Sequence, residues 1–127
     1  MFDIQTIQKD ILHSISSNTT TPVYFYLPQQ HAKTYIQIHS TRVSQHPETG
    51  ENIAEVEVKI NVQSESKSSK DCIDVLDTIL ELHNSGKIHF SKFAILQTGE
   101  MDRTITIAND NRWLGEMSLY FWLETTN

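Results

Sequence analysis

Six histidines and a single cysteine, Cys72, carry the most versatile chemistry in the 127-residue chain. Imidazoles at ligand spacing would hold zinc, and a thiol beside an imidazole would make a nucleophile. The spacing favours neither. No HExxH or HxH pair falls on one element, and His83 and His89 belong to different ones. Cys72 and His83 share a helical face but are eleven positions apart. At 1.5 Å per residue that is ~16 Å along the axis, too far to touch. Scattered histidines and a small core cysteine are therefore the expectation. One cysteine allows no intramolecular disulfide and no multi-cysteine zinc site, which fits a reducing compartment. A P-loop, a GxGxxG fingerprint and a GxSxG elbow are all lacking. No catalytic residue, metal or cofactor is expected.

The charge balance excludes another class. Ten Lys and Arg stand against sixteen Asp and Glu, a net charge of -6, and the arginines are Arg42, Arg103 and Arg112 alone. A protein that grips phosphates needs clustered Lys and Arg. Met1-Phe2-Asp3-Ile4-Gln5 has no basic or apolar signal-peptide region. The longest apolar runs, such as Val23 to Leu27, are far below the ~20 residues that span a bilayer. A soluble protein made in a cytoplasm, with no membrane contact, is expected.

The elements follow from periodicity. Ile4, Ile7, Ile11 and Ile15 recur at helical spacing behind a capping Asp3, and the run to Pro22 ends the helix. Val23 to Leu27 reads as a short strand, apolar enough for burial on both faces or for packing at the edge of an interface, stopped by Pro28. Tyr35 to Gln45 and Asn52 to Ser64 form a long hairpin, with Ala54, Val56, Val58, Ile60 and Val62 on one face. Its arms exceed what a small core needs, so the tip at Pro47, Glu48, Thr49 and Gly50 is expected to project. Ser68 or Ser69 caps a second helix that runs to about Asn84 and stops at Gly86. Its apolar side holds Cys72, Val75, Leu76, Ile79, Leu80, Leu82 and His83. Asp74, Asp77 and Glu81 form a polar stripe on the other side. Ile88 to Phe90 and Phe93 to Leu96 read as short strands or one broken strand, and Arg103 to Ile107 as another short strand, with a turn from Thr98 to Asp102. The last strand, Trp113 to Glu124, alternates Met117, Leu119, Phe121 and Leu123 against Glu116, Ser118, Tyr120 and Trp122. The expected fold is one α+β domain, residues 1–127: an antiparallel sheet with a long hairpin and two helices packed on it.

Aromatic surface is the unusual feature. Tyr120 and Trp122 fall on the outward face of the last strand, Trp113 stands at its start, and Tyr24 and Tyr26 join them. Tyr and Trp concentrate in protein–protein interfaces, although a second layer of the same domain would cover them equally well.

The order of these motifs resembles the tail terminator, or tail completion and tail-to-head joining, proteins of long-tailed phages and prophages. The resemblance is carried by Tyr35-Ile36-Gln37-Ile38, by Ala54 to Val62, and by the capped helix Ser69 to Leu80. Phe93-Ala94-Ile95-Leu96 and the closing Asp110 to Phe121 complete it, over about Ile4 to Glu124. It implies a non-catalytic virion protein of the tail, assembled in the host cytoplasm. Such proteins form rings, typically hexameric, that cap the tail tube and meet the head connector. DNA passes through the lumen without specific binding.

On that reading Tyr24, Tyr26, Trp113, Tyr120 and Trp122 are the candidate subunit contacts. Pro47, Glu48, Thr49 and Gly50 would touch the tube protein or the connector protein. Glu55, Glu57, Asp74, Asp77 and Glu81 would line a negative lumen over which phosphates slide. The alternatives are another virion component of similar fold, such as a head-completion or tail tube protein, and a small enzyme or ligand-binding domain using His39, His83 or His89.

Overall fold

The computed structural model describes residues 2–45, 52–100, 103–107 and 112–126. Helix α1 (Ile4–Ser16) starts at Asp3, whose carboxylate accepts the Gln5 amide, and buries Ile7, Ile11 and Ile15. Ile4, expected on the same buried face, is largely exposed at the first turn. Strands β1 (Val23–Tyr24), β2 (Thr34–Ser44) and β3 (Ile53–Ser64) follow, then α2 (Lys70–Asn84). Strands β4 (Phe93–Glu100), β5 (Thr104–Ile107) and β6 (Trp113–Thr125) close the chain.

The sheet runs β1-β2-β3-β6-β4, with β5 also paired to β6. Every pair is antiparallel except β1 with β2, a two-residue parallel contact at the edge. This is the expected α+β architecture. Both arms of the long hairpin are built into it. β3 pairs with β6 from Ile53↔Glu124 to Ser64↔Trp113 while β2 pairs its other side. The tip expected to project, Pro47, Glu48, Thr49 and Gly50, lies outside the described residues.

One face of the sheet takes both helices. Ala54, Val56, Val58, Ile60 and Val62 of β3 join Met117, Leu119, Phe121 and Leu123 of β6 in a core closed by Ile7, Ile11, Cys72, Leu76 and Ile79. All five β3 side chains are fully buried. Strict alternation in the two central strands achieves this, since period 2 sends every second side chain the same way.

Three local readings are corrected. The run Val23 to Leu27 is strand only at Val23–Tyr24 and is not buried on both faces. Tyr26 is 92% exposed. The chain leaves the sheet after Tyr24 and is held by Gln37 Nε2, which donates to the Phe25 carbonyl. Ile88 to Phe90 is no strand: Ile88 and Phe90 are buried on an irregular connection, braced where the Ser14 hydroxyl meets the backbone of His89. Thr98 to Glu100 is not a turn but the second half of β4, which a bulge between Ile95 and Gln97 carries on.

The helix boundaries are local chemistry. Ser69 holds the N-cap position of α2 without a side-chain bond, while the Ser68 hydroxyl accepts the Lys70 amide. At the other end Gly86 has φ 72, a left-handed conformation that favours glycine. Lys87 and Gly86 then bond back to the carbonyls of Leu82 and His83, a Schellman stop.

Candidate functional site on the open sheet face

The face away from the helices is ordered by register. Side chains directly opposite across strands share a face, so three rows can be read off. Arg42, Glu57, Tyr120 and Gly99 form one; Ser44, Glu55, Trp122 and Gln97 a second; Ser40, Lys59 and Ser118 a third. Successive rows stand two residues, about 6.6 Å, apart. The acidic and aromatic candidates of the central strands therefore form a single patch. Tyr120 Oη donates to Glu57 Oε2 at 2.6 Å. That bond, more than burial, holds the phenol above its usual pKa, against a smaller opposing pull from Arg42.

Beyond the third row the face dips into a shallow depression of about 270 Å³, lined by His39, Lys59, Asn61, Thr104, Glu116 and Ser118. His39 is the extra residue of a bulge between Ile38 and Ser40. At the β1 corner Tyr35 lies on this same face yet is 1% exposed. The rings of Tyr24 and His31 pack against it at 5.8 and 4.9 Å. Tyr24 thus covers a neighbour within its own chain.

The remaining candidates separate. Trp113 points to the helix side and packs against the core. Asp74, Asp77 and Glu81 are exposed on α2, with Lys70 paired to Asp74 and Arg103 to Asp77. Sheet and core stand between them and Glu55 and Glu57. The two acidic stripes point in opposite directions, and no single channel wall holds both.

The histidines are not gathered either. His39 is on β2, His89 lies exposed before β4, and His83 is on the buried side of α2. Among the described residues no three His, Cys, Asp or Glu side chains are placed to hold a metal ion. His83 Nε2 donates to the Gly99 carbonyl at 2.9 Å, with its ring edge-on to Phe121. Burial pushes its pKa below the ordinary imidazole value; the Gly99 bond and the Glu100 charge pull less strongly the other way. Cys72 is a core residue whose thiol donates to the Val62 carbonyl, and burial raises its pKa.

Sequence reasoning missed the outer edge of the sheet. Ile95, Leu96 and Ile107 of β4 and β5 are exposed, Leu96 by 52% and Ile107 by 60%. Across the sheet Tyr26 and Leu27 are exposed beside β1. The signal was present in Phe93-Ala94-Ile95-Leu96, an apolar run at the edge of the sheet rather than inside it. No helix among the described residues is long and apolar enough to cross a membrane.

An α+β sheet carrying both helices on one face, with an acidic–aromatic patch on the other, is the class of structure these observations define. The same fold occurs in a chain of a solved structure described as the virion of a native gene transfer agent particle. The likeness has a TM-score of 0.71 at 11% identity and covers 93% of this chain and 91% of that one. No protein-family model matches the sequence, and no curated protein matches it.

Proposed function

We propose that this chain is a structural virion protein that closes the tail tube of a long-tailed phage or prophage as a hexameric ring of identical subunits and joins the tail to the head connector without catalysing a reaction. The observation that carries the reading is the fold shared, over nearly the whole of both chains, with a chain of a gene transfer agent virion. Two physical features support it. Exposed apolar side chains sit at opposite edges of one sheet, Tyr26 and Leu27 beside β1 and Ile95, Leu96 and Ile107 on β4 and β5. Unpaired strand edges of this kind invite a neighbour. Two different patches meeting head to tail are what a closing, heterologous ring requires.

On this reading the edges make the subunit contacts, and the open face with Glu55 and Glu57 turns toward the lumen. There its negative charge lets DNA slide without sticking. The α2 stripe of Asp74, Asp77 and Glu81 then belongs to the outside.

The test is to add the purified protein to polymerising tail tube protein and measure tube lengths and ends by electron microscopy. Capped tubes of limited length with a ring at one end are expected. Long tubes made by this chain alone would assign it as a tube protein instead. Binding to the head connector without effect on tubes would make it a head-completion protein.

A further inference from the structure

His83 ties the last turn of α2 to β4. Among the described residues the strand lies at the edge of the sheet, hydrogen-bonded there to β6 alone, and its Gln97, Thr98 and Glu100 are exposed. The His83 ring is 3% exposed, gives its Nε2 proton to Gly99, and leaves Nδ1 buried with no hydrogen-bond partner among the described residues. A neutral imidazole tolerates this, because Nδ1 is then an unused acceptor. An imidazolium does not: both nitrogens become donors, and a buried donor without an acceptor is costly.

The surroundings offer little relief while the contact stays closed. β6 presents the carbon ring of Phe121, and Phe90 of the connection packs beside that ring. On α2 the flanking Ile79 and Leu82 are apolar and buried, and Glu81 is exposed. Lys87, beyond the helix, is exposed as well. Among the described residues the charged group acting on the ring is Glu100, next to Gly99 on β4 and open to solvent.

We propose that His83 is an acid-sensitive latch: neutral, it pins the segment Gln97–Glu100 of β4 to α2; protonated, it lets go and turns its charge toward water and Glu100. The latch is a property of the folded subunit and does not depend on ring formation.

Hydrogen exchange of the intact protein over a pH series tests it, with protection of residues 97–100 normalised to that of residues 54–62 in β3. As pH falls below the ordinary imidazole value, protection of the β4 segment should drop by up to about tenfold per pH unit and level off once the segment is open, while β3 holds. In NMR the His83 ring and the Gly99 amide should shift with one common midpoint. His83→Gln keeps an amide donor of similar reach and cannot take up the proton, so its β4 protection should be flat. Equal loss from β3 and β4, or an acid loss that persists in His83→Gln, overturns the latch. Should that variant fail to fold, a Gly99 amide that does not follow His83 in the wild type overturns it as well.

Discussion

Leu76 of α2 rests on the bare backbone of Gly115 in β6: a Cβ on that glycine would stand 2.7 Å from Leu76 Cδ1 and 3.0 Å from Cys72 Sγ. The glycine has an ordinary backbone conformation, so closeness rather than φ demands it. Gly115→Ala should destabilise the fold by about 1–3 kcal/mol, the usual cost of overpacking. In a urea-melt double-mutant cycle Leu76→Ala should absorb much of that penalty. Simple additivity of the two losses would show that the helix shifts instead.

Tyr120→Phe removes the hydrogen bond to Glu57 and leaves the ring in place. The expected loss is about 0.5–1.5 kcal/mol, at the low end because the pair is only half-buried and water can replace the hydroxyl. Thermal melts read it. A loss well above this range would mean that the acidic patch depends on Tyr120 for its order.

Leu96→Lys places a charge on the exposed outer edge and Trp122→Ala trims the open face. If the edges carry subunit contacts, Leu96→Lys should lower the assembled mass in light scattering while its melting temperature stays near wild type. Trp122→Ala should leave the mass unchanged. The reverse pattern would move the interface to the aromatic patch.

Acid should weaken the folded state through His83. Burial lowers its pKa below the ordinary imidazole value on folding, so the unfolded chain binds the proton more readily. The stability it contributes is complete above the unfolded value and is lost as pH falls below it. Urea unfolding between pH 8 and pH 5 should show a decline in the wild type that is smaller in His83→Gln.

Cys72 should resist thiol reagents in the native state, because the reactive thiolate is disfavoured by burial. Labelling followed by mass spectrometry should track global unfolding and accelerate with denaturant. Rapid labelling of the native protein would mean that α2 opens locally.

The central strands were legible in the sequence because alternation is a strong signal where one face is buried. Ala54 to Val62 and Met117 to Leu123 occupy the faces their spacing assigns. Both helix termini were legible too, since Asp3 and Gly86 act through their immediate neighbours. The edges were not. Whether Val23 to Leu27 continues as strand depends on what lies beside it. Tyr24 ends the strand over Tyr35, eleven residues further on in sequence. The site was legible only in part for the same reason. Periodicity placed Glu55, Glu57, Tyr120 and Trp122 outward, and pairing of β3 with β6 made them one patch. No local pattern reveals that the α2 acids point the other way.

The extra residue at His39 has a further consequence. Before it, Ile36 and Ile38 face the core; after it, Thr41 and Val43 do, each opposite a buried valine of β3, while Arg42 stands beside Glu57 outside. The strand thus changes phase midway. Deleting His39 would remove the bulge and leave Ile38 and Ser40 alternating regularly against Ile60 and Lys59, with Arg42 still beside Glu57 and Val43 still facing the core. His39 is thus a position of β2 where a residue can be taken out with the pairing on both sides intact, and its loss should cost the shape of the strand more than its register.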